Sequence, residues 1–238
     1  MHSFNEQRRA IAADGFTVLP PLYSEAEVAS LLAAIDAAGL QEAGRFAVRR
    51  FLHAAPACRA LLMTPALRAA LHELFGEGYR LVKAIYFDKP PAANWFVAGH
   101  QDLTIAVKER AALPGFGPWT RKEEQWAVQP PLQVLENNFT LRIHLDDTDA
   151  ENGALRVRAG SHRQGILRAD AATGFEEVLC PVARGGALLM RPLLWHASSR
   201  SATDRPRRVL HLEFSDSELP PPLQWAEELS LSGTEERA

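Results

Sequence analysis

The sequence predicts an α+β fold in which helices come first and an antiparallel β core follows. Two amphipathic helical segments lie in the first third of the chain, and strand-like segments separated by turns follow from Arg80 onward. Helices followed by many strands with long connections are typical of α+β proteins. We expect one domain over residues 1–238, with the β core at about 80–215. The polar tail at 220–238 is expected to wrap the surface or to fray.

Both predicted helices carry recognisable start signals. Ser24 and Glu27 form a capping-box pattern, in which each side chain satisfies a backbone N–H at the start of a helix. Thr64 followed by Pro65 marks the start of the second helix, and Gly76 marks its end. Apolar residues recur at helical spacing in both segments, so each is expected to pack one face on the core.

Six segments rich in β-forming residues are predicted to be strands. Turn clusters at 149–153, 185–186 and 198–206 separate several of them. The predicted strands are Leu81–Phe87, Trp95–Val107, Leu132–Leu145, Ala154–Val157, Ala187–Met190 and Val209–Phe214.

Composition favours a globular enzyme in a reducing compartment. Hydrophobic residues make up 47% of the chain and the net charge is −3, which excludes a disordered chain and gives no sign of a nucleic-acid binder. The two cysteines cannot form a disulfide framework. No apolar run is long enough to span a membrane, and the polar start of the chain lacks a secretory signal. We therefore expect a cytoplasmic protein; the oligomeric state stays open.

His100 and Asp102 are the first candidate metal ligands. In a strand, residues i and i+2 point to the same face, so both side chains can reach one metal ion. The pattern is weak alone, because a histidine near a carboxylate is common. His196 strengthens it, since this residue follows a strongly apolar strand and a short connecting segment. Two histidines and one carboxylate form the facial triad of non-haem Fe(II) oxygenases.

A basic cluster of Arg205, Arg207 and Arg208 follows His196 by about ten residues. A facial triad leaves three positions on the iron, of which a 2-oxo acid can fill two and O₂ the third. The distal carboxylate of such an acid needs a fixed bidentate donor, and the planar guanidinium of arginine suits this role.

Several motifs of the chain together resemble those of the phytanoyl-CoA dioxygenase family of Fe(II)/2-oxoglutarate-dependent oxygenases. The resemblance covers roughly Gly15 to Phe214. It rests on Asp14-Gly15-Phe16-Thr17-Val18-Leu19, Asp88-Lys89-Pro90-Pro91, His100-Gln101-Asp102, Asn152-Gly153-Ala154-Leu155, Gly160-Ser161-His162 and Trp195-His196-Ala197-Ser198 before Arg207.

This resemblance implies a double-stranded β-helix, a jelly-roll or cupin-like barrel, flanked by N-terminal helices. It implies Fe(II) held by His100, Asp102 and His196, with 2-oxoglutarate and O₂ as cosubstrates. The family spacing of eleven positions after the distal histidine selects Arg207 for 2-oxoglutarate, and Ser198 matches a position that assists the same carboxylate. The implied reaction is hydroxylation of a small molecule with release of succinate and CO₂. No marked basic pocket singles out a CoA thioester.

Two further residues and one loop are candidates for contacts with the cosubstrate or substrate. Lys83 lies on the strand before the metal motif and could contact cosubstrate or substrate, although a solvated lysine is an equal alternative. Arg142 alternates with apolar residues and could face a pocket in the same way. The segment 108–131 is long and contains two tryptophans, so it is a candidate lid over the substrate or a plain surface loop.

Two other classes of function use the same residues. A zinc or manganese hydrolase or isomerase would share the metal ligands, but it has no need of Arg207 as a carboxylate anchor. A non-catalytic barrel that serves as a binding module would have no reason to keep all three ligands. Metal analysis together with 2-oxoglutarate turnover separates these alternatives.

Overall fold

The computed structural model describes residues 4–40, 46–89 and 96–231. Its helices are α1 (Asn5–Ala13), α2 (Glu25–Ala37), α3 (Phe51–Ala54), α4 (Cys58–Leu62), α5 (Pro65–Phe75) and α6 (Leu132–Asn137). Its strands are β1 (Phe16–Leu19), β2 (Ala47–Arg49), β3 (Arg80–Asp88), β4 (Val97–His100), β5 (Ile105–Val107), β6 (Trp119–Lys122), β7 (Gln125–Val128), β8 (Phe139–His144), β9 (Leu155–Arg158), β10 (Glu177–Cys180), β11 (Ala187–Met190), β12 (His196–Ser198), β13 (Arg208–Ser215) and β14 (Leu229–Ser230).

The strands form a major sheet, a minor sheet and a small third sheet. The major sheet has the order β1-β11-β8-β13-β3-β14, with β2 also paired to β3, and the minor sheet has the order β10-β9-β12-β4. Strands β5, β7 and β6 make the third sheet. All the strand pairs are antiparallel. The predicted α+β class with a jelly-roll barrel and N-terminal helices is confirmed.

The major sheet has an apolar outer face and a more polar inner face. Leu141, Ile143 and Leu212 point outward and are buried against the helices, in one cluster with residues such as Leu31 of α2 and Leu71 of α5. Side chains alternate along a strand, so the residues between these point inward, toward the minor sheet. We call the space between the two inner faces the barrel lumen.

The capping signals in the sequence correctly predicted where helices α2 and α5 begin. Ser24 accepts from the backbone N–H of Glu27, and the Glu27 carboxylate accepts from the backbone N–H of Ser24, which completes the capping box of α2. Thr64 caps α5 through the backbone N–H of Leu67. Both helices begin within one residue of the predicted start.

Two predicted strands are wrong in part. The segment Leu132–Leu145 contains helix α6 before strand β8, because Pro131 precedes apolar residues at helical spacing and Leu135 is buried. The segment Trp95–Val107 is divided into β4 and β5. The chain leaves the minor sheet after His100, at Gln101, whose side chain is buried. Trp95 itself, with Pro90 and Pro91 of the family motif, lies outside the described residues.

The segment 108–131 is largely structured. It contains strands β6 and β7, which form a hairpin whose Trp119 and Trp126 rings meet edge to face, 6.4 Å apart at their centroids. Because the segment has secondary structure of its own, its length alone no longer indicates a lid. The lid stays a prediction.

The chain from residue 220 to 231 packs more closely on the protein than expected, since Leu223, Trp225 and Glu227 are buried. That the whole chain is one domain stays a prediction.

Candidate metal centre

The three candidate metal ligands come from the facing ends of two neighbouring strands in the minor sheet. Strand β4 ends at His100, β12 begins at His196, and the two residues stand directly opposite each other in the antiparallel register. Asp102 follows β4, and its backbone N–H donates to the carbonyl of Pro192 at 2.9 Å. This bond ties the loop after β4 to the segment that precedes His196.

The side chains of these residues converge on one point. The Nε2 atom of His100 lies 3.9 Å from Oδ1 of Asp102, and the Nε2 atom of His196 lies 3.8 Å from Oδ2. The two imidazole rings are 4.2 Å apart at their centroids. One ligand atom from each residue lies within 4.8 Å of the others, so a single ion can contact all three.

Hydrogen bonds to the backbone orient both imidazoles for metal binding. Nδ1 of His100 lies 2.8 Å from the carbonyl of Ala98, and Nδ1 of His196 lies 2.9 Å from the carbonyl of Leu194. A carbonyl only accepts, so each Nδ1 must carry the proton and each Nε2 presents its lone pair to the centre. Such bonds fix the tautomer and the ring orientation of metal-binding histidines.

The electrostatics of the centre suit a cation. Burial alone would raise the pKa of Asp102, but His196, His211 and Lys83 outweigh it and hold that pKa well below its ordinary value. Burial lowers the pKa of His196 to about 4, against the opposing effect of Asp102, so its imidazole is neutral at pH 7. Oδ2 of Asp102 is buried and has no hydrogen-bond partner among the described residues. A carboxylate and two imidazoles on one side of an ion are a fitting donor set for Fe(II).

Sequence reasoning missed Gln101, the residue between the two ligands. Its side-chain amide is buried and donates to the carbonyls of Gly165 at 2.8 Å and Leu193 at 2.5 Å. Its Oε1 accepts from the backbone N–H of Leu167 at 2.8 Å. Gln101 therefore holds the turn that presents His100 and Asp102. A polar residue between two ligands gives no signal in the sequence, because its partners are more than sixty residues away.

Gly99 was missed for a similar reason. A Cβ atom at this position would overlap the indole of Trp195, the residue before His196. The absence of a side chain lets that indole lie against β4, next to the two opposed histidines. The glycine is needed for this close approach rather than for its backbone angles.

The structure places both predicted 2-oxoglutarate residues in the lumen. Ser198 lies on β12 two residues after His196, so both side chains share a face, and both are buried. Arg207 immediately precedes β13, and its guanidinium donates to the carbonyl of Gly153 in the Asn152-Gly153 turn. Burial lowers the pKa of Arg207 to about 10, so the guanidinium keeps its charge at pH 7.

Arg208 has the opposite orientation, as the alternation of a strand requires. It makes two ion-pair hydrogen bonds to Asp146, from Nε at 2.8 Å and from a terminal nitrogen at 2.6 Å, and its backbone N–H donates to the same carboxylate.

The turn that includes Asp149 is stabilised by its own residues, since the Asp149 carboxylate accepts from the backbone N–H groups of Glu151 and Asn152. The turn predicted at 149–153 is therefore present.

Arg142 and Lys83 also point into the lumen, but toward the metal end. The Arg142 guanidinium lies over the ring of Phe87 at 5.7 Å and contacts Nδ1 of His211 at 3.0 Å. Burial, reinforced by nearby Arg207, lowers the pKa of Arg142 to about 10. Nζ of Lys83 pairs with Glu213 at 2.6 Å. Glu213 and His211 were not predicted; their alternation with apolar residues on β13 was the available signal.

A large cavity elsewhere in the molecule contains none of these residues. It has a volume of about 1090 Å³ and lies beside α1, α5 and the start of β3, with Arg8, His72 and Tyr79 on its walls. Leu231 also lines it.

The barrel and this arrangement of two histidines and an aspartate define the class of non-haem Fe(II) oxygenases. The chain belongs to the phytanoyl-CoA dioxygenase family, which it matches over residues 11–209. The prediction of an Fe(II)/2-oxoglutarate-dependent oxygenase, with Fe(II), 2-oxoglutarate and O₂ as cofactors, is thereby confirmed.

The chain is similar to a named hydroxylase and to many solved structures. The chain is 23% identical over 158 residues to the methylphosphonate hydroxylase of Gimesia maris, covering 63% of this chain and 55% of that protein. The chain thus spans about half the length of that hydroxylase. Its fold resembles that of the epimerase SnoN, solved with Fe³⁺ and α-ketoglutarate (18% identity, TM-score 0.68, 95% of this chain and 94% of that one). It also resembles the carbocyclase SnoK of nogalamycin biosynthesis (19% identity, TM-score 0.68, 89% and 83%).

No helix among the described residues is both long and apolar enough to cross a membrane.

Proposed function

We propose that this chain is a dioxygenase that hydroxylates a small molecule and converts 2-oxoglutarate to succinate and CO₂. The observation that carries the proposal is the convergence of His100, Asp102 and His196 on one point, in a lumen that also holds the buried guanidinium of Arg207. A hydrolase has no use for that guanidinium, whereas a 2-oxo acid chelated at the metal needs an anchor for its distal carboxylate.

His100, Asp102 and His196 would hold the iron, which when bound supplies the activation of O₂ and the oxidative decarboxylation of the 2-oxo acid. The chain's own contribution begins with the orientation of the two imidazoles, because the hydrogen bond of each Nδ1 leaves its Nε2 facing the centre. The neighbouring carbonyls of Ala98 and Leu194 then prevent the rings from turning away.

Arg207 would bind the distal carboxylate of 2-oxoglutarate, with the Ser198 hydroxyl beside it. Arg142 would lie between that anchor and the metal, since the charges of both Arg207 and Asp102 influence its pKa. Its Nε atom is buried and has no hydrogen-bond partner in the described part of the chain, which supports a contact with a bound anion. Lys83 lies at the metal end, paired with Glu213, and we assign it to the substrate side.

The lumen also contains apolar and neutral groups that help to exclude water. Leu188 and Val209 are inward-facing and buried. His144 lies beside Val209, and burial, with Arg142 and Arg207 nearby, lowers its pKa well below the ordinary value, so it is neutral at pH 7. Exclusion of water strengthens the charge interactions that orient the cosubstrate.

The name of the Gimesia maris relative supports hydroxylation of a small polar molecule. The chain matches about half of that protein, so its substrate is not carried over here.

The test is anaerobic reconstitution with Fe(II) followed by addition of 2-oxoglutarate. Bidentate chelation should produce a visible charge-transfer band at one iron per chain, and admission of O₂ should convert 2-oxoglutarate to succinate. Zinc or manganese should give neither the band nor succinate. Equal succinate formation without iron, or an iron complex that does not respond to 2-oxoglutarate, would contradict the proposal.

A further inference from the structure

The inner face of the major sheet carries a row of polar residues at the metal end of the lumen. In the strand register, Glu213 of β13 stands opposite Lys83 of β3 on one side and opposite Thr140 of β8 on the other. Directly opposed residues in antiparallel strands point to the same face. These three side chains, which we call the lumen row, therefore lie side by side across three strands.

The lumen row is next to the metal centre. Ligand atoms of Glu213, His211 and Asp102 lie within 4.8 Å of one another, and Asp102 is a candidate iron ligand. These three residues do not form a second metal site, because Oε1 of Glu213 already contacts the Lys83 ammonium at 2.6 Å and Nε2 of His211 at 3.1 Å. The ammonium takes the position that a second cation would need.

Two groups of the row have unused hydrogen-bonding capacity. The Thr140 hydroxyl is fully buried and has no partner among residues 4–40, 46–89 and 96–231. A buried hydroxyl without a partner is costly, so such groups usually meet a ligand or a water molecule. The Lys83 ammonium has three donors, and its bond to Glu213 uses one of them. Both groups can donate to one acceptor placed between them and the metal.

The charges of the lumen favour an anion as that acceptor. Lys83, Arg142 and Arg207 bring three positive charges, whereas Asp102 and Glu213 bring two negative ones. Fe(II) and the 2-oxoglutarate dianion cancel each other. These five side chains therefore leave one positive charge in a buried space once metal and cosubstrate are bound. A buried charge is expensive unless an opposite charge pairs with it.

We propose that the prime substrate is a small oxyanion whose acidic group is bound by Lys83 and Thr140 beside the metal. This inference rests on the proposed function, and it adds the chemical class of the substrate. Both binding residues come from the rigid major sheet, so they would fix the acidic end and direct a neighbouring C–H bond toward the iron. A neutral or cationic molecule of the same size would leave the residual charge unpaired.

The experiment uses the anaerobic complex of the full chain with Fe(II) and 2-oxoglutarate. The probes are methylphosphonate, methanesulfonate and propionate, with propionamide as the neutral isostere of propionate. We expect at least one oxyanion to perturb the charge-transfer band and to raise the melting temperature of the complex in a saturable way, and propionamide to do neither. If propionamide binds as tightly as propionate, or if none of the oxyanions binds, the inference is wrong.

Thr140→Val is the sharpest variant, because it removes an unpartnered hydroxyl at constant shape and should fold normally. We expect it to weaken oxyanion binding at least threefold, and Lys83→Met to weaken it at least tenfold. The charge-transfer band with 2-oxoglutarate should be retained in both. Thr173→Val and Arg9→Met, at exposed positions outside the lumen and the segment 108–131, are the controls. Unchanged oxyanion affinity in Thr140→Val and Lys83→Met would overturn the inference.

Lys83→Met leaves Glu213 buried without its ion-pair partner, so the double variant Lys83→Met/Glu213→Gln provides a second route to the same measurement. Retained oxyanion affinity in a folded double variant would also overturn the assignment. A wild-type protein that forms no complex with Fe(II) and 2-oxoglutarate would instead refute the proposed function itself, and the substrate inference with it.

Discussion

His100 and His196 stand directly opposite each other on strands β4 and β12, with their rings 4.2 Å apart. Residues 96 positions apart in the chain are thus brought together by the register of one pair of strands. A change that shifts this register by one residue would turn one imidazole out of the lumen. Metal binding is therefore coupled to the pairing of β4 with β12.

Replacing His196 with alanine should greatly weaken iron binding and abolish 2-oxoglutarate turnover, because two donors remain from the set of three. His100→Ala and Asp102→Ala should behave in the same way. Iron content after anaerobic reconstitution and desalting measures the effect. His72→Ala, at an exposed position on α5, is the control and should retain one iron per chain. Iron binding of wild-type strength in His196→Ala would show that the ligand assignment is wrong.

Replacing Arg207 with glutamine should strongly raise the 2-oxoglutarate concentration needed for half-maximal turnover. Loss of one partner of a buried charged pair costs about 2–5 kcal/mol. Arg208→Gln should instead lower the free energy of unfolding, since Arg208 pairs with Asp146 away from the lumen. Titration of the charge-transfer band separates the two effects. A larger loss of 2-oxoglutarate affinity in Arg208→Gln would reverse the assignment.

The sequence predicted those parts of the fold that have local signals. The capping box at Ser24 and the Thr64-Pro65 start identified α2 and α5, since each depends on residues within one helical turn. Helix α6 was predicted as strand because six residues are too few to show a helical period clearly. Glu227 could not be anticipated: its buried carboxylate accepts from the backbone N–H groups of Leu52 and Ala84, which lie more than 140 residues earlier in the chain.

The same distinction applies to the candidate site. His100, Asp102 and His196 form a pattern that the family resemblance made visible, and Arg207 follows from its spacing. The lumen row has no such pattern. Lys83 and Glu213 meet only because β3 and β13 pair in one register, and they are separated by 130 residues. Charge networks of this kind become apparent only when the strand order and register are known.

Replacing Gln101 with alanine should lower both stability and iron affinity, although Gln101 is not a candidate ligand. The change leaves two backbone carbonyls and one backbone N–H without their partner. Of these, the buried Leu193 carbonyl costs about 1–3 kcal/mol, and the half-buried groups of Gly165 and Leu167 cost less. The melting temperature and the iron affinity of the folded protein measure the two effects. Gln133→Ala, at an exposed position of α6, is the control. A stability loss with unchanged iron affinity would show that Gln101 supports the fold but not the metal turn.

The hairpin of β6 and β7 offers a test of the lid prediction. Its tip contacts β2 through an ion pair between Glu123 and Arg49, at 3.5 Å. Arg49 stands opposite Ile85 in the register, so it points to the same face of the sheet as Lys83. The hairpin is thus connected to the sheet face that we assign to the substrate. The pair is partly exposed, so it contributes only about 0.2–1 kcal/mol and can open easily.

Replacing Glu123 with glutamine should therefore favour the open hairpin without unfolding the protein. We expect hydrogen exchange in residues 119–128 to rise by at most about fivefold, as the loss of such a pair allows. Succinate formed in the absence of any added substrate should rise as well, because water enters the lumen more readily. Glu124→Gln is the matched control, since Glu124 pairs with Arg121 inside the hairpin and leaves the contact with β2 intact. If Glu123→Gln and Glu124→Gln have the same effect on succinate formation, or if neither has any, the hairpin is a surface structure and not a lid.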